Sequence, residues 1–135
     1  SSAMFWKLLL GTVIMLAFGY CGEITVLNAW PAFAGGLAGW GFILFEIFAG
    51  EAGGTASGCS DAVVSSFNNM RMIVTAGWSI YPLGYLFGYL LGAVDETFLN
   101  VIYNIADFVN KIAFVLACWS AAKADSAGKK DALLA

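Results

Sequence analysis

Asp107 and Lys111 stand four residues apart inside an otherwise apolar stretch, so on a helix both project from one face. A charge at bilayer depth costs about 2.5–3.5 kcal/mol even on the lenient insertion scale, so such a pair marks a functional site by default. Tyr103 lies one turn further back and extends the stripe to a phenol, a carboxylate and an amine. A lysine in apolar surroundings is the residue type that forms Schiff bases with carbonyl compounds. The neighbouring carboxylate would balance the charge of a protonated imine. The plainer alternative is an ion pair that only docks one helix.

The elements that position this stripe follow from hydropathy. The chain has 135 residues, is 61% hydrophobic and only 11% charged, and has a mean hydropathy of +0.82. Soluble domains carry roughly 25% charged residues, and a chain this short could not hide so much apolar surface in water. A membrane span needs about 20 mostly apolar residues. Four stretches qualify: 5–22, 30–49, 63–91 and 97–122. The expectation is one all-α membrane domain of four transmembrane helices covering residues 1–135, with a polar, disordered tail at 123–135. The third stretch exceeds what a bilayer needs, and Ser65, Ser66, Asn68, Asn69 and Arg71 place its start outside the lipid as helix.

The connections agree. Pro31 follows Trp30 at a helix start. Residues 50–60 are Gly/Ser-rich and read as a flexible loop, with Asp61 capping the next helix. Lys7, Lys123, Lys129 and Lys130 lie on the side of the two termini, and the opposite loops have no Lys or Arg. The positive-inside bias therefore puts both ends in the cytoplasm. Trp6, Trp30 and Trp119 lie near span ends as interfacial anchors. Gly35 and Gly39, and likewise Gly84, Gly88 and Gly92, form small-residue faces for close helix packing. Glu23 and Glu46 sit near span ends as interfacial carboxylates.

Several function classes drop out. A net charge of −3 with six Lys+Arg gives no basic footprint for nucleic acid. The absence of His removes His-based triads and His metal sites. Cys21, Cys59 and Cys118 form no CxxC and no disulfide framework, and Cys21 and Cys118 read as small buried residues.

Depth brings more residues to the level of Lys111. Trp78 and Tyr81 lie there in the third span, Trp40 in the second and Met15 in the first. Gly19, one turn from Met15, leaves room. Each residue alone fits core packing. With the lysine they outline a slot for a long, flat, apolar ligand held covalently.

The runs that line this slot resemble a known family. Residues 104–111 (NIADFVNK) are similar to the retinal-binding seventh helix of the microbial rhodopsins, and 78–82 (WSIYP) to their sixth. Phe18-Gly19-Tyr20, Gly22-Glu23, Ala29-Trp30-Pro31-Ala32-Phe33 and Ile102-Tyr103-Asn104 also fit, within the branch that pumps protons in marine bacteria. The resemblance covers nearly the whole chain and maps it onto the fourth to seventh helices of a seven-helix bundle. It implies all-trans retinal bound to Lys111 as a protonated Schiff base. Asp107 would be part of the counterion, held ionised by Tyr81 and Tyr103. Trp78 would press on the polyene, and Trp40, Met15, Gly19, Pro82 and Tyr85 would line the slot. Asn110 would lie near the imine and tune colour.

The family's first three helices have no counterpart here. They carry the main counterion, the proton donor, an arginine and a second tryptophan. The chain is therefore expected to be one segment of a longer protein. The implied activity is light-driven proton transport outward across a bacterial inner membrane, by a multi-pass protein and not an enzyme. The implied partners are retinal, the lipid bilayer, the missing helices and further copies in a homo-oligomer. In that mechanism light isomerises the retinal, the imine proton passes to an extracellular-side carboxylate, and the cytoplasm replaces it. Asp107 stays a fixed negative charge, and the third span tilts at Pro82. A sensory or other-ion-selective rhodopsin would share these helices. A structural subunit without chromophore is the alternative from another class.

Overall fold

The computed structural model describes the backbone of residues 1–134 and the side chains of residues 1–128. The side chains of Lys129 and Lys130, used above for orientation, lie outside the described residues. The helices are α1 (Ser2–Glu23), α2 (Ala29–Phe48), α3 (Glu51–Ala56), α4 (Asp61–Met72), α5 (Ile80–Tyr85) and α6 (Glu96–Leu134). A π-helical turn at Ile73–Gly77 joins α4 to α5, and a second at Leu86–Leu90 extends α5, so the third span is one interrupted helix. Ser2–Glu23, Ala29–Ala56 and Glu96–Gly128 are long and apolar enough to cross a membrane. The third expected span is helical but not one continuous α-helix.

Local chemistry explains the element ends. Asn28 accepts a hydrogen bond from the Trp30 N–H at 3.2 Å and caps α2. Asp95 does the same for α6 through the Phe98 N–H at 3.2 Å. Gly92 takes a left-handed φ of +60°, which glycine adopts without steric cost, and Ala93 N–H closes the end on the Phe87 carbonyl at 2.8 Å.

Four expectations change. Residues 50–60 are not simply a flexible loop: Glu51–Ala56 is helical, because Ala52 and Ala56 find apolar burial. Ser60, not Asp61, is the N-cap of α4, and Asp61 lies in the first turn, where a carboxylate favours the helix dipole. The polar tail after Lys123 continues α6 as helix instead of leaving it. Its Ala-rich composition has good helix propensity. Cys118 is also exposed, not buried, and lies 3.4 Å from the Met70 sulfur.

The helices pack in a row: α1 on α2, α2 on the third span, and the third span on α6. Small residues set the spacing. A Cβ on Gly39 would fall 2.6 Å from the Met15 backbone nitrogen, and one on Gly84 would fall 2.7 Å from Leu99 Cδ1. The backbones approach because these side chains are missing. Ser66 adds a buried hydrogen bond to the Ala117 carbonyl at 2.7 Å. A small core of Ile43, Ile47, Ala52 and Val74 sits where α2, α3 and the third span meet. Large apolar residues on the outer faces, such as Phe5, Leu10, Phe45 and Phe108, are exposed, as lipid contact requires.

Candidate functional site

A mostly apolar cleft of about 990 Å³ opens between the helices, and every candidate named from the sequence lines it. Met15 and Gly19 come from α1 and Trp40 from α2. Trp78, Tyr81, Pro82 and Tyr85 come from the third span. Tyr103, Asp107, Asn110 and Lys111 come from α6. Open space lies where a Gly19 side chain would stand.

The charged pair forms as the spacing predicts. Lys111 Nζ donates to Asp107 Oδ2 within α6, and the Tyr81 hydroxyl donates to Asp107 Oδ1 from the third span. The carboxylate is thus shared between two donors on two helices. Tyr103 departs from its expected role. Its hydroxyl donates to the Tyr81 backbone carbonyl at 3.0 Å, and its ring lies 5.5 Å from that of Tyr81. It supports the residue that holds Asp107 and does not hold the carboxylate itself.

The site is open on one side. The Lys111 side chain is 72% exposed and that of Asp107 is 44% exposed within this chain. Trp78 and Tyr81 are only half-buried. The helices of this chain wall the cleft without enclosing the pair.

The break in the third span shapes the wall. Trp78 N–H bonds to the Ile73 carbonyl, five residues back, at 3.0 Å. The Val74 carbonyl loses that α-helical donor, and Trp40 Nε1 reaches it at 3.0 Å. Tyr85 closes the far end. It is 5% exposed and stacks on Phe33 at 5.7 Å.

Residues not singled out from the sequence also line the cleft, among them Leu8, Thr12, Phe33, Gly36, Ile43 and Phe114. A signal for them exists. Leu8, Thr12, Met15 and Gly19 follow steps of four, three and four, and Phe33, Gly36, Trp40, Ile43 and Ile47 follow the same rhythm. Extending each stripe from its central residue finds them.

Comparison with known proteins agrees with this geometry. Residues 1–124 match the family model described as bacteriorhodopsin-like protein. The chain belongs to that family, the microbial rhodopsins, as a multi-pass helical membrane protein. Within the family it sides with the proteorhodopsins. It is 46% identical over 127 residues to the green-light absorbing proteorhodopsin of Gamma-proteobacterium EBAC31A08, covering 93% of this chain and 51% of that one. Identity to the sensory rhodopsin-2 of Haloarcula vallismortis is 28% over 126 residues, covering 91% of this chain and 53% of that one. The crystal structure of the blue light-absorbing proteorhodopsin from Med12 superposes with a TM-score of 0.75 at 40% identity, covering 92% of this chain and 56% of that one. The chain spans about half the length of the curated relatives it matches.

Proposed function

We propose that this chain is the retinal-carrying part of a light-driven proton pump that moves protons outward across a bacterial inner membrane, with both ends of the segment cytoplasmic. The observation that carries the proposal is the pairing of Lys111 with Asp107 and Tyr81 at the wall of an apolar cleft. The cleft fits the group: its volume lies within the roughly 300–1,000 Å³ of small-molecule pockets, and its apolar lining suits a long polyene. Retinal on Lys111, as a protonated Schiff base, supplies light absorption and isomerisation.

The chain's own residues do the rest. Lys111 provides the attachment atom. Asp107 supplies a fixed negative charge beside it, kept in place by the Tyr81 hydroxyl. Trp78, Trp40 and Met15 pack against the chromophore and exclude water. Tyr103 braces Tyr81 from behind. The cleft's open side is closed by further helices, which bring the primary proton acceptor and the cytoplasmic donor. The assembled protein is a light-driven transporter, not an enzyme, and forms a homo-oligomer.

Greater similarity to the proteorhodopsins than to the sensory rhodopsin supports a pump over a sensor. The test uses the whole protein in cells given all-trans retinal. A visible band bleached by hydroxylamine, with light-driven acidification of the medium abolished by a protonophore, is the expected result. A band without acidification makes the protein a sensor or a carrier of another ion. No band leaves a structural membrane subunit.

A further inference from the structure

The break in the third span leaves a backbone carbonyl at Gly77 without its regular partner. In an α-helix the Tyr81 N–H would serve it, but that N–H bonds to the Trp78 carbonyl at 3.2 Å. A π-type bond would come from residue 82, which is proline and has no N–H. A carbonyl half-buried against a neighbouring helix, away from the bulk of solvent, needs a donor. Asn110 provides it: its Nδ2 reaches from α6 to the Gly77 oxygen at 3.1 Å. The fit is close on both sides, since any Cβ at Gly77 would run into the Asn110 amide. Gly77 directly precedes Trp78, and Asn110 directly precedes Lys111.

We infer that Asn110 is a positioning residue, whose amide replaces the missing backbone donor at the third-span break and so fixes Trp78 and Tyr81 relative to Lys111. The residue next to the attachment lysine thereby ties the two helices together at the point where the third span can bend. It acts through Gly77 and the two aromatic side chains beyond it, not by direct contact with a chromophore. Trp40 and Val74 form a second tie one turn away, from the α2 side. The anchor itself stands on this chain's geometry, and only its effect on colour rests on the proposed retinal attachment.

The sequence supplies a clean probe. Within this chain only Gly39-Trp40 and Gly77-Trp78 pair a glycine with a following tryptophan. Glycine labelled with carbonyl 13C and tryptophan labelled with 15N therefore mark these two pairs in solid-state NMR of the full protein in lipid, and the signal that Gly77→Ala removes is that of Gly77-Trp78. Asn110→Leu keeps the volume and removes the donor. The expected result is an upfield shift of the Gly77 carbonyl with a change at the Trp78 nitrogen, while the Gly39-Trp40 signal stays still. Asn110→Ala removes the same donor with less bulk, so it should move the Gly77 carbonyl in the same direction even if Asn110→Leu does not fold. In retinal-loaded protein Asn110→Leu and Gly77→Ala should shift the visible band by similar amounts, and the double variant should add nothing further. An unmoved Gly77-Trp78 signal in Asn110→Leu or Asn110→Ala overturns the inference. A band shift in Asn110→Leu with no NMR change also overturns it, because it means direct tuning. Failure of the wild type to take up retinal would sink the proposed function while the NMR comparison still decides the anchor.

Discussion

Tyr81 donates its hydroxyl hydrogen to Asp107 across the seam between the third span and α6. The bond joins the wall of the cleft to the charged pair that the cleft surrounds. It makes the Asp107 position depend on the packing of two helices and not on its own helix alone. Removing the hydroxyl should therefore be felt at both places. Tyr81→Phe is expected to cost about 1.5 kcal/mol in stability, the low end for a hydrogen bond to a charged acceptor that is partly exposed. It should also shift the visible band of the retinal-loaded protein. Thermal denaturation followed by the visible band measures both, and an unchanged band position would show that Asp107 does not need the phenol.

Lys111→Ala should abolish the visible band after retinal addition. Helical circular dichroism should remain, because Lys111 is largely exposed within this chain and contributes little to its packing. A band of wild-type intensity in the variant would move the attachment site elsewhere.

Asp107→Asn leaves Lys111 without its i−4 carboxylate. The band should move to the red at neutral pH, since a weaker counterion favours the excited state's displaced charge relative to the ground state. A spectrum identical to wild type would mean that Asp107 does not face the chromophore.

Gly39→Ala should destabilise the α1–α2 contact by about 1–3 kcal/mol, the usual cost of overpacking a tight site. The added methyl would meet the backbone of Met15 and Gly11, which cannot swing aside as a flexible side chain does. Gly41→Ala is the control on the same helix, since open space surrounds that position. Equal melting temperatures for the two variants would show that the helices are not in close contact.

Lys7 pairs with both Glu46 and Glu51 at 3.5 Å, and Glu46 is only 4% exposed. Lys7→Met strands a buried carboxylate, whereas Glu46→Gln removes the charge that needs a partner. The lysine variant should lose about 1–3 kcal/mol, and the glutamine variant less. Denaturation of the two side by side checks the order, and the reverse order would mean that water already solvates Glu46.

Much of this was legible in the chain. Apolar runs of span length announce membrane helices because a bilayer demands internal backbone bonding over a fixed thickness. The i, i+4 spacing put Asp107 and Lys111 on one face because helix geometry leaves no other outcome. Depth within each span brought Met15, Trp40, Trp78 and Tyr81 to one cleft, since helices of similar length crossing one layer align their middles. Tertiary structure alone decided where the hydroxyls and amides went. Tyr103 turned from Asp107 to the Tyr81 carbonyl, and Trp40 and Asn110 found carbonyls released by a π-turn and a proline. Those partners depend on how far the third span departs from an α-helix and on how closely neighbouring backbones approach. Both are set by packing between segments distant in sequence, which no spacing rule along a single helix encodes.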